Sequence, residues 1–253
     1  MNLEGARVIA VRDAKTVYLD GETNSAVKVF ERSYAKAGIL NEALNHAIIE
    51  ETALPVPALK SVETIDGKWA IATEYIPGKT LAQLMAEDAD NLELYLDMLI
   101  EVQMDIHDAR APRLSRLKDK MYQKIQQADI DAATRYEIHH RLASTPAHNK
   151  VCHGDLNPTN IIIDDAGRPF VLDWAHVTQG NASADAARTY LLFRLAGDEE
   201  TADKYMDMFC EKTSTNKRYV QQWLPIVAVS QSVKGKPQER EFLLSWASVF
   251  EYE

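Results

Sequence analysis

The chain has 253 residues, of which 46% are hydrophobic, and a formal net charge of −10. A chain of this length can bury a sizeable core, either as one two-lobed unit or as two small domains. The negative charge argues against a nucleic-acid partner, because such proteins use Lys and Arg to replace the counterions of the phosphate backbone.

The sequence also indicates a cytoplasmic location without a membrane partner. It has no run of about eighteen apolar residues that would span a bilayer, and residues 1–5 lack the basic and apolar regions of a signal peptide. Its two cysteines, Cys152 and Cys210, have no metal-binding spacing. We therefore expect free thiols in a reducing compartment. The sequence does not indicate an oligomeric state.

The N-terminal part of the chain predicts a small antiparallel sheet. Three short segments rich in β-branched residues follow one another at residues 6–11, 16–19 and 26–30. Lys28 lies inside the third of them, where a charge on a half-buried surface needs a reason. One interpretation is an exposed edge-strand lysine that prevents aggregation. Apolar residues at helical spacing then predict a helix through residues 38–52.

A further strand is predicted for residues 69–78, which end in a Pro-Gly break. The tripeptide Gly-Lys-Thr at residues 78–80 resembles the end of a P-loop. However, Thr73 stands where that motif requires a glycine, and the preceding strand ends in Pro77. We therefore reject a P-loop.

Most of the remaining chain is predicted to be helical. An apolar stripe that includes Leu92, Leu96 and Leu99 predicts a helix near residues 91–109. Further segments with helical periodicity lie near residues 114–127, 131–143, 183–195, 199–213, 217–231 and 237–250. Together these segments indicate a larger helical lobe.

A polar loop and the hairpin that follows it carry the strongest signal. Residues 153–160 read His-Gly-Asp-Leu-Asn-Pro-Thr-Asn. A strand begins at Asn160, turns at residues 165–167 and returns to Asp173. Because hairpin strands are antiparallel, Asn160 and Asp173 are expected at the same edge, where both can face one metal ion.

Asp155 completes this set. A carboxylate that accepts a proton from a hydroxyl, an amide oxygen and a second carboxylate are the parts that orient an alcohol and hold Mg²⁺ on ATP phosphates. Each residue alone is an ordinary turn residue, but average usage makes the combination at this spacing rare. The set therefore predicts magnesium-assisted phosphoryl transfer.

On these motifs the chain resembles the aminoglycoside phosphotransferase and choline kinase-like family, small-molecule relatives of the protein kinases. The resemblance spans most of the chain and rests on the His-Gly-Asp-x-x-x-x-Asn loop and on Asp173-Trp174. It implies an α+β, protein kinase-like fold with a small antiparallel-sheet N-lobe and a larger helical C-lobe. The expected domains are a nucleotide-binding lobe of residues 1–77 and a catalytic and acceptor-binding lobe of residues 78–253.

The resemblance also implies roles for individual residues. Asp155 would be the catalytic base, and Asn160 and Asp173 would be the metal ligands. In the family a strand lysine contacts the ATP phosphates and pairs with a glutamate of the next helix. In this chain the lysine corresponds to Lys28 and the glutamate to Glu42. Glu50 and Glu51 are alternatives to Glu42.

For adenine, the resemblance implies hydrogen bonds from the backbone carbonyl of Glu74 and the N–H of Ile76, with Ile162 as an apolar floor. An ordinary loop between lobes is the alternative. Asp185 matches a family aspartate that braces the catalytic loop, although a simple carboxylate at a helix N-terminus is equally compatible with the sequence.

One departure from protein kinases concerns the phosphate lid. The turn at residues 12–15 reads Arg-Asp-Ala-Lys and contains no glycine. Lys15 or backbone N–H groups could contact phosphate there, but we expect a solvated turn.

The predicted function is an ATP-dependent phosphotransferase that moves the γ-phosphate to a hydroxyl of a small molecule. Residues 1–80 carry nine basic and eleven acidic side chains, a net charge of −2, which leaves −8 for residues 81–253. That charge suits a cationic acceptor such as an amino sugar or a choline-like amine, although solubility alone also explains it. The alternatives are a nucleotide-binding regulatory protein without transfer activity, and a kinase for neutral sugars or proteins.

Overall fold

The computed structural model describes residue 3 and residues 5–12, 14–233 and 237–248. The packing of the backbone divides the chain into two compact units. The first unit comprises residues 1–87 and 159–176, and the second comprises residues 88–158 and 177–253. The functional boundary that the sequence predicts after residue 77 stays a prediction.

The first unit is built on a five-stranded antiparallel sheet. Its strands are β1 (Arg7–Arg12), β2 (Lys15–Asp20), β3 (Ser25–Phe30), β4 (Leu59–Ile65) and β5 (Lys68–Glu74). Their spatial order is β1-β2-β3-β5-β4. Helix α1 (Lys36–Glu50) packs on one face through a cluster that contains Phe30, Ile39 and Ile71. The sequence did not predict β4, because this edge strand carries polar and charged residues on its half-exposed surface.

A second, three-stranded sheet also belongs to the first unit. It contains β6 (Gly78–Thr80), β8 (Ile161–Asp164) and β9 (Pro169–Val171), in the order β6-β8-β9, and helix α2 (Leu81–Glu87) follows β6. The strand predicted for residues 69–78 ends earlier, at Glu74, and Gly78 begins the next strand. Gly78 has a φ of 150°, and a Cβ there would lie 2.2 Å from the carbonyl oxygen of Ile163. Only glycine therefore allows β6 to approach β8 this closely.

The second unit is mainly helical. Its helices are α3 (Leu92–Asp108), α4 (Leu117–Gln127), α5 (Ala132–Ser144), α6 (Ala182–Leu195), α7 (Glu199–Thr213), α8 (Lys217–Gln221), α9 (Leu224–Gln231) and α10 (Pro237–Ser245). Strands β7 (Lys150–Cys152) and β10 (Thr178–Gly180) form a short antiparallel pair. Among the described helices, none is both long and apolar enough to cross a membrane.

Two helices differ from the prediction. The segment predicted as one helix over residues 217–231 forms α8 and α9, because Pro225 lies in the first turn of α9 and cannot donate the backbone hydrogen bond that a continuous helix needs. The helix predicted near residues 237–250 ends at Ser245 and is followed by a 3₁₀ turn, Trp246–Ser248. Residues 249–250 lie outside the described part of the chain.

Candidate active site

A cavity of about 570 Å³ lies in the first unit. Its lining comes from the five-stranded sheet, from α1 and α2, and from the hairpin of β8 and β9. All predicted cofactor-binding and metal-binding residues line it: Lys28, Glu42, Glu74, Ile76, Asn160, Ile162 and Asp173. The structure therefore brings these residues together, while Asp155 belongs to the second unit.

Lys28 and Glu42 form an ion pair inside this cavity. Lys28 Nζ lies 2.5 Å from Glu42 Oε1, and Glu42 is buried in α1. The interpretation of Lys28 as an exposed edge-strand lysine is wrong, because β3 is hydrogen-bonded to β2 on one side and to β5 on the other. Lys28 shares a face of β3 with Phe30, which packs against α1, so Lys28 lies on the α1 side of the sheet, where Glu42 compensates its charge.

Asp173 contributes a second carboxylate to Lys28. Lys28 Nζ lies 3.5 Å from Asp173 Oδ1. Burial alone would lower the pKa of Lys28, but the charges of Asp173 and Glu42 outweigh burial and raise that pKa above its ordinary value. The ammonium group is therefore charged at neutral pH, as binding to phosphate requires.

Asn160 and Asp173 lie at the same edge of the hairpin. Ile161 pairs with Val171 in the antiparallel register, and the backbone N–H of Leu172 donates to the carbonyl of Asn160 at 2.8 Å. Asp173 has a φ of 60°, in the left-handed region. Aspartate is among the few residues that adopt this region readily, and such conformations cluster at functional sites.

The 3₁₀ turn that follows Asp173 is tied to α1. Asn45 Nδ2 donates to the carbonyls of Trp174 and Ala175 at 3.4 and 3.3 Å. The indole N–H of Trp174 donates to the carbonyl of Val171 at 3.1 Å. These bonds fix the backbone on both sides of Asp173, so its carboxylate is held in the cavity by buried contacts.

The donor set of this edge fits a magnesium ion. An amide oxygen and a carboxylate are hard oxygen ligands, and Mg²⁺ is commonly held by one or two carboxylates together with substrate phosphates. Within the described ranges, no group of three His, Cys, Asp or Glu residues could hold a metal ion by itself. This set of side chains agrees with a metal site in which substrate phosphates supply the remaining ligands.

The segment expected to bind adenine follows β5. The backbone N–H of Glu74 donates to Ala58 at 2.8 Å, and the N–H of Tyr75 donates to Asn24 at 3.2 Å. Both bonds hold the segment against its neighbours. Glu74, Ile76 and Ile162 all line the cavity, and Ile76 is buried. Their role in adenine binding stays a prediction.

In the second unit, one face of α6 holds the loop that carries Asp155. Residues 185, 188 and 189 are spaced so that they share one side of a helix. The bonds run from Gly154 N–H to Asp185 Oδ1 at 2.7 Å, from Arg188 Nη2 to Asp155 Oδ1 at 2.9 Å, and from Thr189 Oγ1 to the carbonyl of Leu156 at 2.9 Å. Three successive loop residues are thus positioned by a single helix.

The two histidines near this loop are buried and support it. His153 Nδ1 accepts a hydrogen bond from the N–H of Asp155 at 3.2 Å, and His107 Nε2 lies 3.1 Å from Asp185 Oδ2. Burial would raise the pKa of Asp185, but hydrogen bonds from His107 and from Gly154 lower it below its ordinary value. Asp185 therefore braces the loop as a charged carboxylate.

Sequence reasoning missed two residues. Lys15, expected in a solvated turn, lies in the cavity with its Nζ 3.1 Å from Asp173 Oδ2. Strand alternation gives a partial signal, because Lys15 and Val17 share a face of β2, but only the register that places Val17 opposite Lys28 shows that this face lines the cavity. Arg188 gave a weaker signal, its position three residues after Asp185 on the same helix.

Comparison with known proteins gives one family and several similar folds. The model of a family described as the phosphotransferase enzyme family matches residues 6–223. No protein of curated function has significant sequence similarity to the chain.

Three solved structures illustrate the fold. A thermostable mutant of the aminoglycoside phosphotransferase APH(4)-Ia, in a ternary complex with ADP and hygromycin B, aligns with a TM-score of 0.70 at 15% identity, covering 96% of this chain and 90% of that chain. The choline kinase LicA from Streptococcus pneumoniae gives 0.64 at 14% identity, covering 96% and 91%. An aminoglycoside-3'-phosphotransferase of type VIII gives 0.58 at 18% identity, covering 96% and 94%.

These similarities concern the fold. The five-stranded antiparallel sheet and the helical body of this chain match those of kinase-like proteins. The prediction of an α+β, protein kinase-like fold is confirmed.

Proposed function

We propose, because this chain belongs to the phosphotransferase enzyme family, that it transfers the γ-phosphate of ATP to a hydroxyl group of a small molecule. Family membership confirms the resemblance that the sequence motifs indicate. It also confirms that the chain is an enzyme, a small-molecule kinase. The nucleotide, the metal ion, the acceptor and the individual roles of residues belong to the proposal.

The convergence of charged residues in one cavity carries this proposal. Lys28, Glu42 and Asp173 form a chain of ion pairs there, and Asn160 lies at the same hairpin edge as Asp173. A positive group for phosphate beside two oxygen ligands for a metal ion is what phosphoryl transfer requires. One protein of this fold was solved in a complex with ADP and hygromycin B, which supports a nucleotide donor and a small-molecule acceptor.

The nucleotide would be bound by groups of the first unit. Lys28 binds the phosphates, and Glu42 holds the Lys28 ammonium in place. The carbonyl of Glu74 and the N–H of Ile76 hydrogen-bond the adenine, and Ile162 provides an apolar surface beneath it. We further propose residues 1–77 as the nucleotide-binding lobe and residues 78–253 as the catalytic and acceptor-binding lobe.

Asn160 and Asp173 would hold Mg²⁺ through their side-chain oxygens. Bound there, the ion would neutralise charge that develops on the transferred phosphoryl group. Asp173 is suited to this task because the bonds on both sides of it fix its backbone. A preorganised ligand loses little freedom when it binds the ion.

Asp155 orients the acceptor hydroxyl and accepts its proton. Arg188 holds one oxygen of the Asp155 carboxylate, and His153 and Asp185 hold the loop backbone. Catalysis then comes from positioning and from neutralisation of charge.

The acceptor is proposed to be an amino sugar or a choline-like amine. The net charge of −8 on residues 81–253 would attract a cation over long range. Proteins of similar fold also support this class, since one of them was solved in complex with hygromycin B and another is a choline kinase.

The test is ATP consumption by the purified chain with a panel of acceptors: amino sugars, choline-like amines, neutral sugars and nucleosides. We expect turnover with a cationic member of the panel and its loss, by about a thousandfold or more, in Asp155→Asn, because the amide cannot accept the proton. Asp165→Asn, a substitution in the exposed hairpin turn, serves as the matched control. Nucleotide binding without turnover on any acceptor would contradict the proposal and favour a regulatory protein.

A further inference from the structure

The turn between β1 and β2 brings a second lysine into the cavity of the first unit. Arg12 and Lys15 are paired at the end of this hairpin. Lys15 and Val17 are two residues apart and therefore share one face of β2. Val17 is opposite Lys28 in the register of β2 and β3, and all three residues line the cavity. Strand register thus directs Lys15 and Lys28 toward the same space.

The Lys15 ammonium lies against the carboxylate that we assign to the metal ion. Lys15 Nζ is 3.1 Å from Asp173 Oδ2, and Lys28 Nζ is 3.5 Å from Asp173 Oδ1. Each oxygen of Asp173 therefore faces an ammonium group. The Lys15 side chain is only 19% exposed, so solvent screens its charge less than that of a surface lysine.

The residue that precedes Lys15 is anchored to the sheet. The carbonyl of Ala14 accepts a hydrogen bond from the N–H of Glu31 at 2.9 Å, just after β3. A glycine-rich phosphate lid works differently, because its backbone N–H groups approach the phosphates where glycine has no Cβ. The turn at residues 12–15 has no glycine, and it presents a charged side chain to the cavity instead.

We propose that Lys15 binds the terminal phosphates of the nucleotide and replaces a glycine-rich lid by a side-chain contact. This inference rests on the proposed function. A phosphate that shares a metal ion with Asp173 comes close to any ammonium group already in contact with that carboxylate. Lysine suits this position, because its compact ammonium is strongly attracted to phosphate without requiring a fixed geometry.

The proposal predicts a selective effect on nucleotide affinity. Terminal phosphates are present in ADP and ATP but absent from adenosine, so only nucleotides that carry them gain from Lys15. A merely structural role, in which Lys15 neutralises Asp173 to stabilise the fold, would lower stability and leave the ratio of these affinities unchanged.

Binding measured by calorimetry tests the proposal without requiring turnover. The ligands are adenosine, AMP, ADP and the non-hydrolysable analogue AMP-PNP, each with Mg²⁺ present. The variants are Lys15→Gln and Lys15→Met, which remove the charge, and Lys15→Arg, which keeps it. Lys68→Gln is the matched control, because Lys68 forms an ion pair with Glu31 outside the cavity. Thermal unfolding of each variant checks that it is folded.

We expect Lys15→Gln and Lys15→Met to bind ADP and AMP-PNP about tenfold or more weakly, as for a lost charge-assisted hydrogen bond. Adenosine affinity should change less than about twofold, and Lys15→Arg and Lys68→Gln should remain close to the wild-type chain.

The outcomes separate this inference from the proposed function. Wild-type chain that binds none of the nucleotides would overturn both. Nucleotide binding that is equally strong in the wild type and in the neutral variants would overturn the role of Lys15 alone. An equal loss for adenosine and ADP, or a loss in Lys15→Arg as large as in Lys15→Gln, would also overturn it.

Discussion

At the scale of single residues, the charged side chains around Asp173 in the first unit and around Asp155 in the second form ion pairs. Lys15 and Lys28 share Asp173 in the cavity, and Glu42 completes that set. In the second unit, Arg188 holds Asp155. Buried or half-buried charges are costly unless they are paired, so each partner also fixes the position of its functional neighbour. Removal of a partner should therefore lower stability and also disturb the function proposed for its neighbour.

Arg188 offers a test of this view. Arg188→Ala should lower kcat about ten- to a hundredfold, because Asp155 loses the bond at 2.9 Å that orients its carboxylate. The KM for ATP should change little, since Arg188 does not line the cavity proposed to bind the nucleotide. Steady-state kinetics with the best acceptor would measure both constants.

Two further variants complete this experiment. Arg188→Lys should recover part of kcat, because a positive charge remains near Asp155. Arg141→Ala removes an ion pair within α5 and should leave both constants unchanged. A rise in the KM for ATP at constant kcat in Arg188→Ala would contradict a positioning role.

At the scale of elements, α6 and the β8–β9 hairpin do the positioning. The hydrogen bonds of α6 reach three consecutive residues of the loop that carries Asp155. The hairpin register sets Asn160 and Asp173 at one edge. In both elements, a regular backbone supports residues that themselves lie in irregular segments, where local strain is tolerated only if the surroundings hold it.

Asp185→Asn tests the contribution of α6 to stability. The variant loses the charge that accepts bonds from Gly154 and His107, and we expect the free energy of unfolding at pH 7 to fall by about 1–3 kcal/mol. Because the pKa of Asp185 is lowered by folding, its contribution is present above the ordinary carboxyl pKa of about 4. The contribution is lost as the pH falls through the lowered value.

Urea unfolding at several pH values measures this effect. The difference between the wild type and Asp185→Asn should be largest above pH 5 and should shrink below pH 4. Asp165→Asn, in the exposed turn, should show no such difference. A gap between Asp185→Asn and the wild type that stays constant from pH 7 to pH 3 would argue against a charged, hydrogen-bonded Asp185.

Gly78 tests the packing of β6 on β8. Gly78→Ala places a Cβ 2.2 Å from the carbonyl oxygen of Ile163, so the strands must separate and the free energy of unfolding should fall by about 1–3 kcal/mol. Gly21→Ala is a matched control, because a Cβ at Gly21 meets no atom within 4 Å. Denaturant unfolding of the two variants gives the comparison, and equal stabilities would refute the close approach.

At the scale of the whole molecule, the residues proposed for different tasks lie in different units. The cavity with its balanced charges belongs entirely to the first unit, and the loop with Asp155 belongs to the second. Yet only five positions separate Asp155 from Asn160 in the sequence. Along the sequence, most of the net negative charge lies beyond residue 80. Such an excess of negative charge affects the rate at which charged acceptors associate with the protein, rather than its fold.

Much of the molecule was predictable from local sequence. The polar loop, the hairpin and the helical periods depend on residues close together in the chain, so residues 153–173 indicated phosphoryl transfer directly. Helix ends were predictable within a few residues, except where Pro225 divided a periodic segment into α8 and α9. The edge strand β4 was not predicted, because polar residues on its half-exposed surface obscure the alternation of apolar and polar side chains.

The sequence by itself determined the family, the fold class and the candidates for chemistry, because spacing and hydrophobic period are local properties. Tertiary structure decided which charges meet. Lys15 and Asp173 are 158 residues apart and Arg188 and Asp155 are 33 apart, and no local pattern encodes such contacts. They arise because strand register and helix packing bring distant side chains within a few ångströms, where the cost of an unpaired charge favours a partner.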